Sequence, residues 1–360
     1  MFSLAIKPQI HTMKKPKAPR RIGHRCAAVA GSTLLWVSAQ PTVARGSATE
    51  IGVYSGRHYN TDKALYQEFT RRTGIKVKLL EAKDDLLIER LRNEGANSPA
   101  DVLVLVDAAR LDRASDLGLF QPTRSASLAR DVPTNLRDSG HRWYGLTRRV
   151  RAIIVNPNQV NPSSIRSFAD LATPALKGKL CLRDSKSVYN QSLVADQLIQ
   201  RGQTATRDWI KGMMANLSQP LFTSDTPLAR AVAKGNCGVG VVNTYYVARM
   251  LSGEAGAADK ALAAKLHVIM PKPAHVNITG AGVTKVSKKR EAATRLIEFL
   301  ASPTGGRGYA EANHEYPLKG YGDNPILKGF GNFSAPKISA EQIGARSRQA
   351  LKMMQASGWI

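Results

Sequence analysis

The sequence predicts an α/β protein made of two α/β lobes that are joined by crossing hinge strands. Strand-like and helix-like patterns alternate from Glu50 onward, and the apolar run at 101–106 has the composition of a central parallel strand. A second α/β series opens near Ser167. The length of 360 residues is sufficient for two domains.

The first α/β series has a strand–helix–strand–helix–strand order, which requires a parallel sheet with helices on both faces. Leu65 and Phe69 share one face of its first helix, and Gly74 ends that helix. The predicted strands are 50–54, 75–80 and 101–106, and the predicted helices are 61–73, 84–93 and 108–117.

The second series follows the predicted crossing strand Arg151–Val155, and a return strand at 275–286 follows Pro271-Lys272-Pro273. A final helix is predicted at 339–357, with Ser339 as its N-cap. The other strands are predicted at 179–182, 237–242 and 266–270, and the other helices at 190–201, 205–216, 226–234 and 291–300.

The chain is strongly basic, with 52 Lys and Arg against 27 Asp and Glu. These cations are scattered, and there is no helix-turn-helix, RNP or zinc-finger pattern, so we expect no nucleic-acid partner. The charge is interpreted as a solvated surface, or as a field that steers an anionic partner or metal complex.

Residues 1–48 are predicted to be an export signal, of the Sec or the twin-arginine type. Basic residues, including Arg20-Arg21, precede a short apolar stretch at 27–39, and small residues precede Thr49. Met13 is an alternative start. No other segment has 18 apolar residues, so we expect an exported mature chain without stable membrane insertion.

Cys181 and Cys237 each lie on an apolar run, eight residues before a tyrosine. An oxidising compartment permits a disulfide between them, and two buried free thiols are the alternative. The absence of a CxxC motif or a nearby histidine argues against a metal site at this pair.

Four tyrosines follow the ends of predicted strands: Tyr59, Tyr189, Tyr245 and Tyr246. Ligands of open α/β sheets bind at such ends, and one tyrosine belongs to the first lobe while three belong to the second. Phenolates are hard anionic donors suited to a hard trivalent metal. Taken singly, a tyrosine at a strand end is more often a half-buried packing residue than a ligand.

Four phenolates around Fe(III) carry one net negative charge, whose burial requires a counter-charge. Arg149 and Arg249 are candidates because a guanidinium is always charged and is not a competing ligand. With Fe(II) the net negative charge of the complex is larger. His58 is a candidate further ligand, and the run Arg148-Arg149-Val150-Arg151 has a simpler interpretation as a solvated basic stretch.

These residues together resemble the periplasmic ferric-iron-binding proteins of ABC importers, which have the type II periplasmic-binding-protein fold. The resemblance is greatest to the iron-uptake proteins of photosynthetic bacteria and covers nearly the whole mature chain. The segments that carry it are Tyr54-Ser-Gly-Arg-His-Tyr-Asn60, Ala100-Asp-Val-Leu-Val-Leu-Val-Asp107, Trp143-Tyr-Gly-Leu-Thr-Arg-Arg149, Val155-Asn-Pro157, Ser187-Val-Tyr-Asn-Gln191, Asn243-Thr-Tyr-Tyr246, Asn313-His-Glu-Tyr-Pro317 and Ala356-Ser-Gly-Trp359.

The resemblance implies that Tyr59, Tyr189, Tyr245 and Tyr246 bind iron, Fe3+ with Fe2+ as an alternative, and that His58 is a ligand in some members only. It implies Arg149 and Arg249 as compensating charges, a periplasmic location, delivery to a permease and a monomeric state. The implied first lobe comprises 49–147 and 273–322, and the second comprises 148–272 and 323–360.

Two other classes of function are weighed against this one. A receptor for an inorganic anion or a polyamine on the same fold is expected to use Ser, Thr and helix N-termini, or Asp and Glu, instead of tyrosines. An enzyme is not predicted, because no GxSxG, HExxH, Walker A or CxxC motif is present and no nucleophile–base pair can be placed.

Overall fold

The computed structural model describes residues 49–57 and 62–360, so the predicted export signal lies outside the described residues. The strands are β1 (Glu50–Ser55), β2 (Lys76–Glu81), β3 (Ala100–Val106), β4 (Tyr144–Val155), β5 (Leu180–Cys181), β6 (Val239–Asn243), β7 (His267–Ile269) and β8 (Val276–Val283). The helices are α1 (Lys63–Thr73), α2 (Asp84–Glu94), α3 (Ala108–Asp116), α4 (Ala126–Asp131), α5 (Val188–Ala215), α6 (Asp225–Lys234), α7 (Thr244–Ser252), α8 (Ala257–Ala263), α9 (Arg290–Ala301), α10 (Pro303–Glu311), α11 (Pro325–Gly329) and α12 (Ala340–Ala356).

The parallel unit predicted for the first series is confirmed. β1 pairs in parallel with β2 on one side and with β3 on the other, and α1 and α2 make the connections. Every residue of β3 is buried, as expected for an apolar strand with layers on both faces.

β4 joins the two halves of the sheet, whose strand order is β2-β1-β3-β8-β4-β6-β5 with β7 also paired to β4. The first part of β4 pairs antiparallel with β8, and the second part, from Arg151, pairs antiparallel with β6. The predicted crossing strand at 151–155 is therefore confirmed, but it begins earlier, at Tyr144. The arginines at 148, 149 and 151 had hidden this strand, because they interrupt the apolar pattern.

The second half of the chain contains the predicted helices with some changes. The two helices predicted at 190–201 and 205–216 form α5, which is broken at Gly202, where φ is 77° and ψ is 176°. α12 begins at Ala340, directly after its predicted N-cap Ser339, and a reciprocal pair of hydrogen bonds between Ser339 and Gln342 caps it. α12 packs against both α3 and α5.

Among the described residues, no helix is long and apolar enough to cross a membrane.

The structure decides between the two alternatives for the cysteines in favour of a disulfide. Cys181 and Cys237 are bonded, with their Cα atoms 6.0 Å apart. β5 and β6 are parallel neighbours, which brings the cysteines together across 56 residues of sequence. The bond therefore closes the loop that contains α5 and α6.

Replacing both cysteines with serine should lower the free energy of unfolding by about 4 kcal/mol, because a closed loop of this length restricts the unfolded chain. Urea unfolding followed by tryptophan fluorescence measures the loss. Wild-type protein treated with a reductant is the control and should resemble the variant. Equal unfolding midpoints for the oxidised wild type and the variant would contradict the prediction.

Candidate metal centre

Three of the four predicted tyrosines meet at one edge of the sheet. Tyr189 is the second residue of α5, and Tyr245 and Tyr246 lie in the first turn of α7. The phenol oxygens of Tyr189 and Tyr245 are 3.4 Å apart. The rings of Tyr245 and Tyr246 have centroids 4.2 Å apart and are tilted by 32°. The remaining predicted ligands, His58 and Tyr59, lie outside the described residues.

The chain places these phenols at helix N-termini. α7 follows β6 without an intervening residue, and α5 begins soon after β5. The N-terminal end of a helix carries partial positive charge and free N–H groups, and both favour an anion. The three tyrosines therefore lie where the backbone offers partial positive charge to an anion.

Arg149 lies directly against this cluster. Its guanidinium carbon is 4.5 Å from the centroid of the Tyr245 ring and 5.1 Å from that of Tyr189. Only 4% of the residue is exposed, and its Nε and Nη1 have no hydrogen-bond partner among the described residues. Burial lowers the pKa of Arg149, but Tyr245, Tyr189, Glu315 and Tyr246 together outweigh burial and raise this pKa overall. Arg149 is thus a buried, permanent cation beside the tyrosines.

The interpretation of 148–151 as a solvated basic stretch is wrong. Arg149 and Arg151 are 4% and 1% exposed. Both lie on β4, which passes through the middle of the sheet and has neighbours on both sides. Their charges are accommodated by acidic partners that are distant in the sequence.

The sequence analysis missed a second ionic group, which consists of Arg151, Arg183 and Asp225. The carboxylate of Asp225 binds Arg151 at 2.8 Å and Arg183 at 2.6 Å. Arg151 also donates to the side chain of Asn190, the residue after Tyr189, at 2.7 Å. The guanidinium carbon of Arg183 is 5.4 Å from the Tyr189 ring centroid. This group adjoins the tyrosine cluster through Arg183 and adds one net positive charge.

Arg249, the other predicted counter-charge, lies three residues after Tyr246 on α7. Its Nε is 3.7 Å from a carboxylate oxygen of Glu254, and its side chain is 21% exposed. Glu254 also contacts Nε2 of His314 at 2.7 Å. Arg249 is therefore less buried than Arg149, and its role as a counter-charge stays a prediction.

The sequence analysis assigned no role to Glu315, which the structure places beside Arg149. Its carboxylate is buried and lies 3.0 Å from Nη1 of Arg57 and 3.3 Å from Nε of Arg149. Burial raises its pKa, but Arg57 and Arg149 outweigh burial and hold this pKa below the usual range. Three neutral side chains also donate to the carboxylate, from Thr147, Thr279 and Asn313. No local pattern could reveal these contacts, because Arg57 is 258 residues away from Glu315 in the sequence.

Arg57 and Asp62 flank the segment 58–61. Two hydrogen bonds, of 2.7 and 2.9 Å, join the Arg57 guanidinium to the Asp62 carboxylate. Arg57 also donates to the carbonyl of Tyr309 and stacks on its ring at 3.8 Å. Arg57 and Asp62, which flank His58 and Tyr59 in the sequence, are thus bonded to each other, and Arg57 is bonded to Tyr309.

The described residues contain no group of three or more His, Cys, Asp or Glu side chains that could hold a metal ion. Asp225 and Glu315, the carboxylates that bind the arginines beside the tyrosine rings, are each paired with two arginines. The phenol oxygens of Tyr189 and Tyr245, which lie 3.4 Å apart, are therefore the candidate donors. Such a set suits a hard cation of high charge.

Comparison with known proteins gives consistent results. Residues 97–329 match the family model of the bacterial extracellular solute-binding proteins. Iron uptake protein A1 of Synechocystis is 41% identical over 94% of this chain and 96% of its own length. A solved structure from Trichodesmium, of IdiA (FutA) in complex with iron and citrate, matches with a TM-score of 0.83 and 40% identity, over 86% of this chain and 100% of that one.

A ferric binding protein from Campylobacter jejuni also matches, with a TM-score of 0.80 and 32% identity over 86% of this chain and 100% of that one. These similarities confirm the predicted type II periplasmic-binding-protein fold. Family model, sequence identity and fold agree along most of the chain. The protein belongs to the bacterial extracellular solute-binding protein family.

Proposed function

We propose that this protein captures ferric iron in a cleft between two lobes and delivers it to the permease of an ABC importer. The observation that carries the proposal is the meeting of Tyr189, Tyr245 and Tyr246, with Arg149 against two of their rings. The similar proteins named above as iron-uptake and ferric-binding proteins support it. Iron is the transported substrate, and no catalytic step is involved.

The proposed ligands are Tyr59, Tyr189, Tyr245 and Tyr246, with His58 as a further candidate. Each phenol must release its proton to bind, and a phenol that is free in water has a pKa of about 10. The bound cation displaces that proton, and the helix N-termini and Arg149 offset the negative charge that the bound phenolates carry. The surroundings of the tyrosines are thus adapted to the charged form of the ligands.

Charge balance explains the arginines. Four phenolates and Fe3+ leave one negative charge, and four phenolates with Fe2+ leave two. Burying a charge without compensation is costly, so a fixed cation beside the rings lowers the free energy of the bound state. Arg149 is proposed as the main compensating group and Arg249 as a more exposed, weaker one.

The proposed lobes are 49–147 with 273–322, and 148–272 with 323–360. β4 and the segment before β8 would then be the hinges. A hydrogen bond of 2.5 Å links Ser192 on α5 to Asp107, the N-cap of α3, across the proposed boundary. Such contacts are the kind that change when a hinged protein closes on its ligand. Export to the periplasm and a monomeric state belong to the same proposal.

A receptor for a polyamine or an inorganic anion fits the site less well. A polyamine needs free carboxylates, whereas Asp225 and Glu315 are each paired with two arginines. The arginines would favour an inorganic anion, but an anionic ligand gives no reason for three phenols to meet at the site. The proposal therefore depends on the tyrosines.

Ferric loading of the wild type should give a phenolate-to-iron charge-transfer band and an orange to red protein. Changing both Tyr245 and Tyr246 to Phe should abolish the band, since two of the anionic donors are removed. Visible absorption during titration with ferric citrate measures the band in the wild type and in the double variant. Tyr321→Phe, at a residue that bonds the carbonyl of Phe333, is the matched control and should keep the colour. If the wild type stays colourless after ferric loading near neutral pH, the proposal is wrong.

Arg149→Met should weaken ferric binding by at least about tenfold, because a buried unit charge beside the ligands is lost while the aliphatic packing is kept. Arg249→Met should have a smaller effect, because a partly exposed charge is screened by water and ions. Competition with a chelator, followed at the charge-transfer band, gives both affinities. Equal affinities of wild type and Arg149→Met would contradict the assigned role.

A further inference from the structure

Four buried charged residues, Arg57, Asp62, Arg149 and Glu315, form a connected group that reaches the tyrosine rings. We call them the buried charge group. None is more than 4% exposed. Two are cations and two are anions, so the group as a whole has no formal charge. It adjoins the candidate metal centre through Arg149, which lies against the rings of Tyr189 and Tyr245.

Glu315 has a central position in this group. Arg57 has two carboxylate partners, Glu315 at 3.0 Å and Asp62 through hydrogen bonds of 2.7 and 2.9 Å. Arg149, in contrast, has its ion pair with Glu315, at 3.3 Å. The carboxylate of Glu315 is therefore the main group that offsets Arg149 while the tyrosines are neutral phenols.

The carboxylate is also held ionised and in place. The side chains of Thr279 and Asn313 donate to it at 3.0 and 2.9 Å, and Thr147 donates as well. Hydrogen bonds of this kind stabilise the charged form of a carboxylate in a buried site. The negative charge is thus a fixed component of the field at the tyrosines.

The geometry points to Glu315 as a specificity-determining residue, one that favours trivalent over divalent iron by offsetting the positive charge of Arg149. Positive charge near the tyrosines stabilises the Fe2+ complex more than the Fe3+ complex, because the Fe2+ complex has the larger net negative charge. By reducing that positive field, Glu315 penalises the divalent state more than the trivalent state. The residue acts through the field and through Arg149 and does not contact the metal. This inference rests on the proposed function.

The test compares wild type with Glu315→Gln, which removes one charge and keeps the size of the side chain. Both full-length proteins are loaded with ferric iron, and the charge-transfer band is followed during reductive titration in a spectroelectrochemical cell. The ratio of Fe3+ to Fe2+ affinity should fall about tenfold in the variant, as expected for a unit charge at this kind of distance. For a one-electron couple this corresponds to an upward shift of about 59 mV.

Two further variants separate charge from structural damage. Asp138→Asn removes a carboxylate that is paired with Arg142 and is not part of the buried charge group, so it should leave the potential unchanged. The double variant Arg57→Gln with Glu315→Gln restores a group without net charge and should move the potential back toward the wild-type value. If the role of Glu315 is merely structural, the effects of the two substitutions on the potential should add, and the double variant should not return toward the wild-type value.

If Glu315→Gln does not fold, Arg57→Gln provides the measurement, because it makes the group more negative and should shift the potential downward. An unchanged or lowered potential in Glu315→Gln, or an unchanged or raised one in Arg57→Gln, overturns the inference. A wild type that develops no charge-transfer band refutes the proposed function itself. A wild type that binds iron with a potential equal to that of Glu315→Gln refutes only the role of Glu315.

Discussion

The burial of positive charge on β4 is the constraint on which the rest of the structure depends. Moving a guanidinium out of water costs several kcal/mol even after relaxation, so each buried arginine needs an anionic or polar partner. Arg149 has Glu315, and Arg151 has Asp225 and Asn190. These partners come from elements that are remote in sequence, and they hold the middle of the sheet and the tyrosine helices in one arrangement.

The same requirement connects the fold to the chemistry of the site. Asn190 follows Tyr189 directly, so the bond from Arg151 orients the first turn of α5. Tyr245 stands at the start of α7, directly after β6, which pairs with the part of β4 that carries Arg151. Buried cations, Arg149 and Arg183, therefore lie beside the tyrosine rings, and the helix N-termini add partial positive charge. An anionic set of ligands is favoured by both.

The disulfide and the C-terminal residues reinforce this region in another way. Cys181 ends β5, Arg183 follows two residues later, and the buried indole of Trp359 donates to the carbonyl of Arg183 at 2.6 Å. The segment that leads into α5 is thus held at two points before Tyr189 is reached. A rigid approach to the site reduces the ordering cost of binding a ligand.

The sequence by itself determined the α/β class, the parallel unit of the first series, most of the helices and the tyrosines as candidate ligands. Those features depend on local periodicity, on strand ends and on a resemblance to a known family. It did not separate a disulfide from two thiols, and its pattern left the first half of β4 unrecognised, because arginines at buried positions resemble a solvated stretch. Only the tertiary structure placed Glu315 beside Arg149 and joined Arg151 to Arg183 through Asp225. Ion pairs join residues that are distant in the chain, and no local pattern of residues encodes which charges become neighbours.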